Sequence, residues 1–190
     1  MRLKVPRIRP VPPEEWTDEV KDALAPIGTA GTMPAFNIFR TLANHPKLAK
    51  RWMVFANHIL AKNTLPPRER ELVILRIGWL CRAEYEWGQH VVIGKREGLR
   101  DEEITRIGVG PDAPGWSPLD RALLRATDEL HADAMVSDAT WQELARSLNT
   151  EQLMDVVFTV GQYNLVSMAL NSFGVQLDAG LPRFPKGVDE

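Results

Sequence analysis

The sequence predicts a single domain of the all-α class, and three observations lead to this prediction. After residue 13, apolar residues recur at spacings of three and four, which is the period of a helix that buries one face. Serine, asparagine and proline stand where helices would begin, and glycine stands where several would end. No segment shows the apolar–polar alternation of a half-buried strand. With 190 residues, the chain is long enough to bury one hydrophobic core.

Local signals define five helices in the first half of the chain. Pro26 and Gly28 close the first helix, and a turn rich in glycine, threonine and proline follows it. Pro66 and Pro67 open the fourth helix, because proline is tolerated in a first turn. Gly98 is the residue expected just after the fifth. The predicted ranges are 14–24, 36–43, 46–60, 67–80 and 83–97.

Capping signals define four more helices in the second half. Ser117 and Ser137 precede two of them, and Asn149 with Gln152 precedes the longest, as expected of side chains that accept hydrogen bonds from first-turn amides. The longest helix carries apolar residues on more than one face, which predicts a central position or a subunit interface. The predicted ranges are 102–107, 118–133, 138–148 and 151–173.

The two ends of the chain are predicted to be irregular. Residues 1–13 contain four prolines, which block regular helix and favour an extended arm. This arm is either frayed or docked across a neighbouring subunit. The tail, residues 181–190, is also predicted to be irregular, so the helical domain spans residues 14–180.

Charge and cysteine content narrow the classes of function. The net charge is −2 with interspersed signs, which gives no electrostatic reason to expect nucleic acid or an anionic membrane as a partner. A single cysteine, Cys81, permits no intramolecular disulfide and fits a reducing compartment. The N-terminal residues lack the apolar core of a secretory signal, and no run reaches the ~20 apolar residues of a membrane span. The sequence therefore predicts a cytoplasmic protein with a small-molecule substrate.

The candidate site lies on the helices predicted at 67–80 and 83–97. Glu86 and His90 are four residues apart, so both lie on one face of their helix. Glu71 is near the start of the preceding helix, and the short connection predicts antiparallel packing. Two carboxylates beside an imidazole would shift a pKa, as acid–base chemistry requires. The alternative is an ordinary surface pair worth about 0.2–0.5 kcal/mol.

Three segments of the sequence resemble the carboxymuconolactone decarboxylase family. These are E-L-x-I-L-R from Glu71, A-E-Y-E-W-x-x-H ending at His90, and D-E-E-I from Asp101. The similarity spans residues 36–107, and the downstream sequence is similar to the longer bacterial members. That family shares its fold with alkylhydroperoxidase D. The resemblance therefore implies an alkylhydroperoxidase D-like helical bundle that forms homo-oligomers.

The peroxidase branch of this superfamily carries C-x-x-C-x-x-x-H, preceded by a glutamate on the earlier helix. On this sequence the glutamate falls at Glu71 and the histidine at His90, whereas the two cysteines fall at Ala83 and Glu86. A dithiol–disulfide cycle needs both a nucleophilic and a resolving thiol. This chain therefore lacks the chemistry of the peroxidase branch.

The decarboxylase branch keeps the Y-E-W-x-x-H version, which implies opening or decarboxylation of a small lactone acid. In that interpretation His90 donates or accepts the proton, Glu86 is its partner, and Glu71 orients them. Tyr85 is a candidate to hydrogen-bond substrate, and Arg76 to meet a substrate carboxylate. The alternatives are that Tyr85 is a packing residue and that Arg76 is solvated or structural.

Weaker candidates come from the second half of the chain. His131 and the pair Tyr163-Asn164 are predicted as further residues of the same cavity, although a histidine near a helix end more often interacts with the helix dipole. No metal is expected, because di-metal carboxylate bundles use Glu-x-x-His twice and here the spacing is i,i+4 and occurs once. No nucleotide-binding or serine-hydrolase motif occurs, and no cofactor is expected.

Three classes of function remain open from the sequence. The first is a cofactor-free lyase or hydrolase that acts on a small cyclic acid. The second is a thiol peroxidase that uses Cys81 with an external thiol. The third is a non-enzymatic helical oligomer that binds a small ligand. A closed cavity around Glu86 and His90 would favour the enzyme.

Overall fold

The computed structural model describes residues 3–25 and 36–185, and within these ranges the chain is helical and contains no strand. The all-α prediction is therefore confirmed. The closure of the first helix by Pro26 and Gly28 lies outside the described residues. The α-helices are α1 Asp18–Leu24, α2 Asn37–Leu42, α3 Pro46–Asn57, α4 Pro67–Leu80, α5 Glu84–Arg96, α6 Asp101–Val109, α7 Pro118–Asp133, α8 Asp138–Ala145 and α9 Thr150–Phe173, with a 3-10 turn at Pro13–Glu15 and a π-helical turn at His58–Lys62.

The predicted caps of the later helices are present. The Ser117 and Ser137 side chains accept hydrogen bonds from amides in the first turns of α7 and α8. Asn149 and Gln152 form a reciprocal capping box at the start of α9. The first helix differs from its prediction, because it begins at Asp18 and not at residue 14. Thr17 caps it by accepting from the third amide of the helix, a role for which threonine is well suited.

Helix α4 lies at the centre of the bundle and contacts α5, α6, α7 and α9. All of its residues from Arg70 to Gly78 are buried, which explains why the segment lacks a single apolar stripe. This packing places every side chain of the second turn of α4, including one carboxylate, inside the protein. The fully buried residues of α4 are Glu71, Leu72, Val73, Ile74, Leu75 and Ile77.

Helix α9 meets the length and composition of a membrane span. The sequence prediction that no run is apolar enough is corrected here. However, 56% of its most apolar window is buried inside the protein, and a core helix of a helical domain passes the same test. The contacts of α9 with α4, α5, α7 and α8 show that it is a core helix of this domain.

The described part of the N-terminal arm packs against helices of its own chain. The Arg7 amide donates to the Phe173 carbonyl at 2.8 Å, and the Val11 amide donates to the Arg40 carbonyl at 2.8 Å. These bonds hold the described part of the arm against the end of α9 and against α2. These hydrogen bonds satisfy backbone groups of the arm within one chain. They are therefore explained by an arm that is neither frayed nor docked on a neighbouring subunit.

Residues 181–185, the described part of the predicted irregular tail, form no helix or strand, and they pack on α4 and α5. Phe184 is buried, with its ring centroid 5.3 Å from those of Trp79 and Trp87. A Cβ atom at Gly88 would lie 2.8 Å from the Pro182 carbonyl oxygen, so only glycine lets the segment approach α5 this closely. The tail therefore covers the outer side of the helix that carries Glu86 and His90.

Candidate active site

Two glycines lie where α4 and α5 meet at the candidate site. A Cβ atom at Gly78 would lie 3.7 Å from the Cβ of Glu86, and one at Gly94 would lie 3.6 Å from the Cβ of Glu71. Each glycine on one helix thus faces a carboxylate residue on the other. The antiparallel packing predicted from the short connection is what brings these pairs together.

His90 is held between two carboxylates. Its Nδ1 atom lies 2.6 Å from Glu71 Oε2, and its Nε2 atom lies 2.9 Å from Glu86 Oε1. The exposed fractions are 0% for Glu71, 4% for Glu86 and 5% for His90. The structure thus brings together the three residues that the sequence singled out, and it excludes the alternative of an exposed surface pair.

The imidazole of His90 is positively charged at neutral pH. Burial alone lowers its pKa, but the charges of Glu71 and Glu86 and the hydrogen bonds to both outweigh burial and raise the pKa to about 10. The buried Arg70 guanidinium donates from Nε to Glu71 Oε1 at 3.2 Å. Two carboxylates, one guanidinium and one imidazolium balance to zero, which is the condition under which buried charges are tolerated.

A cavity of about 280 Å³ opens beside His90 and Glu86. Its polar contributors are few and its walls are largely apolar, which is typical of a small-molecule site. The walls come from α2, α3, the π-helical turn, α5 and α9, so the cavity joins segments distant in sequence. It is lined by Phe36, Ile38, Phe39, Trp52, Met53, Ala56, Asn57, Leu60, Tyr85, Glu86, Gln89, His90, Ile93, Gln162, Tyr163 and Val166.

Tyr163 reaches the site from α9. Its ring meets the His90 ring edge to face, with centroids 4.9 Å apart and planes at 84°. Burial, together with the carboxylates of Glu86 and Glu71, raises the pKa of the Tyr163 phenol well above its ordinary value. Tyr163 is therefore a neutral hydroxyl next to the imidazolium, whereas its neighbour Asn164 contacts Cys81 instead.

Tyr85 lines the cavity, but its hydroxyl is engaged by the protein. It donates to Asp178 Oδ2 at 2.6 Å and accepts from the Ile38 amide at 3.2 Å. Burial and the hydrogen bond to Asp178 raise the pKa of Tyr85. These contacts tie α5 to α2 and to the C-terminal segment, so Tyr85 shapes the cavity and the proposed hydrogen bond to substrate is not supported.

Arg76 is placed away from the cavity. Its guanidinium donates to both carboxylate oxygens of Asp128, at 2.6 and 2.9 Å, and to the Ile107 carbonyl at 2.7 Å. Such a bidentate, buried arrangement is structural. The expectation that Arg76 meets a substrate carboxylate is therefore wrong, and the structural alternative explains the residue.

His131 and Cys81 are near each other and outside the cavity lining. The His131 Nδ1 atom lies 3.9 Å from Cys81 Sγ, and the thiol donates to Asn164 Oδ1 at 3.0 Å. His131 is thus not a residue of this cavity, which corrects that expectation. Among the described residues, no group of three or more His, Cys, Asp or Glu side chains has the arrangement of a metal site.

The comparisons with known proteins agree with this geometry. Residues 46–129 match the model of the carboxymuconolactone decarboxylase family, and this range includes Glu71, Glu86 and His90. No curated protein matches the sequence closely enough to count as a relative.

Several solved structures share the fold. An uncharacterized peroxidase-related protein from Ralstonia eutropha JMP134, described as an alkylhydroperoxidase AhpD core, is similar with a TM-score of 0.76 at 20% identity, over 90% of this chain and 92% of that one. Another uncharacterized peroxidase-related protein, from Silicibacter sp. TM1040, has a TM-score of 0.68 at 15% identity, over 94% and 92%. A variant of the debrominase Bmp8 in complex with 2,3,4-tribromopyrrole has a TM-score of 0.70 at 16% identity, over 90% and 91%.

At these identities the solved structures establish the fold alone, and the family model matches residues 46–129, which are less than half of the chain. The single cysteine of the chain separates it from the dithiol pattern of the peroxidase branch. The chain therefore has the alkylhydroperoxidase D-like helical fold, and its residues 46–129 resemble the carboxymuconolactone decarboxylase family.

Proposed function

We propose that the protein is a cofactor-free acid–base enzyme that acts on a small lactone or cyclic carboxylic acid. The observation that carries this proposal is the placement of His90 and Glu86 in the wall of a cavity of about 280 Å³ that is otherwise mostly apolar. A protonated imidazole in such a cavity is a positioned proton donor. The enclosure of both groups favours an enzyme over a non-enzymatic oligomer with an open binding surface.

The arrangement supports a division of labour among the three residues. Glu71 is fully buried behind the imidazole and bonds to Nδ1, so it is a positioning residue that keeps the ring oriented and charged. Nε2 lies on the Glu86 side, and His90 and Glu86 both line the cavity. The proton that reaches substrate therefore comes from Nε2, with Glu86 as the neighbouring acceptor.

Lactone opening illustrates how these groups act. Water attacks the carbonyl carbon, the ring C–O bond breaks, and the ring oxygen receives the proton of His90 Nε2. Glu86 accepts the proton that the attacking water loses and passes it to Nε2, which restores both groups. In a decarboxylation, the atom that takes up the electron pair of the broken C–C bond receives the same proton, and solvent recharges His90.

Charge on the cavity wall limits the substrate. Among the described lining residues, His90 is the one cationic side chain, and Glu86 beside it is anionic. A substrate with one carboxylate can place it near His90, whereas a second carboxylate would lie in a mostly apolar cavity without a cationic partner. We therefore expect lactones with a single acid group to be preferred over those with two.

The peroxidase alternative has weaker support. A dithiol cycle needs two thiols, and the sequence contains one cysteine. Cys81 also lies outside the described lining of the cavity. A peroxide assay of Cys81→Ser tests this alternative, because loss of peroxide turnover in that variant would assign the thiol an active role.

A cytoplasmic location also remains a prediction, which cell fractionation would test.

The proposal is tested by ultraviolet-monitored turnover of small lactone acids, carboxymuconolactone among them, with mono- and diacid members. Glu86→Gln keeps an acceptor for Nε2 but removes the charge, so we expect a fall in kcat of roughly 10- to 100-fold for any substrate that the wild type turns over. His131→Gln is the matched control, since it lies outside the cavity, and is expected to keep wild-type kcat. Failure of the wild type to turn over any lactone acid would contradict the proposal.

A further inference from the structure

Two neighbouring polar side chains of α9 line the cavity without a hydrogen-bond partner. Gln162 is 5% exposed and Tyr163 is 7% exposed, and both belong to the wall that also contains His90. Within the described part of the chain, no group forms a hydrogen bond with the Gln162 carboxamide or with the Tyr163 hydroxyl. The large majority of buried polar side chains do have such a partner, so these two residues require an explanation.

The other polar side chains of the described wall are engaged or reach solvent. Tyr85 and Gln89 both donate hydrogen bonds to Asp178 Oδ2, at 2.6 and 3.0 Å. The carboxylate and the imidazole of the proposed acid–base pair contact each other. Asn57 is half-buried, so water can satisfy its carboxamide. The two side chains from α9 are therefore the buried polar groups of this wall that are left for a ligand.

The unpaired atoms of Gln162 and Tyr163 are open to the cavity. Among the described residues, three unpaired side-chain atoms are fully enclosed by protein, namely Arg40 Nε, Trp52 Nε1 and Ser167 Oγ. The polar atoms of Gln162 and Tyr163 are not in this group, so space is left beside them. Because both residues are more than nine-tenths buried and line the cavity, that space is the cavity itself.

The charges around Tyr163 favour a neutral ligand atom over an anion. The carboxylates of Glu86 and Glu71 raise the pKa of the phenol, and the same charges oppose an anionic group placed next to its hydroxyl. The phenol and the Gln162 carboxamide are both uncharged donors of hydrogen bonds. An uncharged oxygen with free lone pairs, such as that of a carbonyl group, fits these two donors in a mostly apolar cavity.

We propose that Gln162 and Tyr163 bind the carbonyl oxygen of the substrate. The identity of the substrate as a lactone acid rests on the proposed function, whereas the binding of a carbonyl group does not require turnover. When water attacks the carbonyl carbon, the electron pair of the C=O π bond moves onto this oxygen, and it returns when the ring C–O bond breaks. Donors aimed at the oxygen stabilise the charge that it carries in between. His90, whose ring lies against that of Tyr163, then protonates the ring oxygen.

A cyclic ketone acid tests this assignment without a reaction. The probe is 3-oxocyclopentane-1-carboxylate, in which a CH₂ group replaces the ring oxygen of a lactone acid, so that the ring cannot be opened. Its ketone band lies above the amide I band of the protein in the infrared, and hydrogen bonds to the oxygen lower its frequency. We expect the band of the probe bound to the wild type to lie below that of its methyl ester in cyclohexane.

Variants of the two donors assign the hydrogen bonds. Tyr163→Phe removes the hydroxyl and keeps the ring, and Gln162→Leu removes the carboxamide at similar volume. We expect each to move the ketone band part of the way towards its position in cyclohexane. Each should also weaken binding of the probe, measured by calorimetry, by roughly 3- to 10-fold, which is the effect of one neutral hydrogen bond. Gln142→Leu is the matched control, because Gln142 is exposed on α8, and it should keep the wild-type band and affinity.

Three results would overturn the proposal. These are a wild type that does not bind the probe, a bound probe whose band lies at the cyclohexane position, and a lowered band that survives both substitutions. The last result would make His90 the donor to the carbonyl. The first two need no variant, so they hold even if a substitution prevents folding. If no lactone acid is turned over but the band behaves as expected, the carbonyl site stands and only the proposed function fails.

Discussion

His90→Gln is expected to lower turnover of any accepted lactone acid by roughly 100- to 10,000-fold, which is the usual contribution of a positioned general acid. Glutamine occupies similar space and its amide nitrogen still donates hydrogen bonds, but it carries no positive charge and has no acidic proton to give to substrate at neutral pH. The substrate atom that takes up the electron pair would then have to be protonated by water. Steady-state kinetics on the wild type and the variant measure the effect.

Two controls are needed for this variant, because His90 also balances charge. Without it, Glu71 and Glu86 remain buried, with Arg70 bonded to Glu71 alone among the described contacts, and breaking a buried pair in this way costs about 3–5 kcal/mol. Circular dichroism must therefore show that His90→Gln is folded at the assay temperature. His131→Gln controls for loss of a histidine elsewhere. A folded His90→Gln enzyme with wild-type kcat would remove His90 from the mechanism.

The free energy of unfolding is expected to fall as the pH rises from about 6.5 to about 10. Folding raises the pKa of His90 from its ordinary value of 6.5 to about 10, so between these values the folded state holds a proton that the unfolded chain has released. The stabilisation is complete below the unfolded pKa and is lost as the pH passes the folded one. The slope approaches about 1.4 kcal/mol per pH unit. Urea unfolding at a series of pH values measures it.

His90→Gln provides the reference for this titration. The other histidines and the lysines remain in that variant, so subtracting its pH profile from that of the wild type isolates the contribution of His90. We expect the difference between the two proteins to shrink steadily across this pH window. Parallel profiles would mean that His90 binds its proton no more tightly in the folded protein than in the unfolded chain.

The position of Glu86 in the superfamily pattern bears on the proposed chemistry. By resemblance, Glu86 stands where the peroxidase branch has its second cysteine, and Ala83 stands at the first. Here that position supplies a carboxylate 2.9 Å from His90 Nε2, and Ala83 is fully buried. Under the proposed function, the helical scaffold uses a carboxylate and an imidazole where the resemblance places two thiols, since one fold can carry different sites.

Much of the fold could be predicted because its signals are local. Ser117, Ser137 and Asn149 are capping residues whose partners lie three positions further along the chain. The pairing of Glu86 with His90 is also local, since it depends on one turn of helix. Glu71 could be added because a short connection constrains the packing of α4 on α5.

The remaining parts of the site depend on contacts that spacing cannot reveal. The structural role of Arg76 could not be predicted from spacing, because its partner Asp128 lies 52 residues away in the sequence. The role of Tyr85 could not be predicted either, because Asp178, which accepts the hydrogen bond of its hydroxyl, lies 93 residues away in the sequence. The cavity could not be outlined, because its walls combine Trp52 of α3 and Gln162 of α9 with α5. Only the packed chain brings these residues together.

The central claim, that His90 is an imidazolium held between Glu71 and Glu86, can be tested without a substrate. The measurement is the nitrogen-15 chemical shift of the histidine rings in selectively labelled protein at pH 8, with His90 assigned by its absence in His90→Gln. We expect both ring nitrogens of His90 to be protonated at pH 8, although this pH is well above the ordinary histidine pKa of about 6.5. A neutral ring with one protonated nitrogen would contradict it and would leave the site without its proton donor.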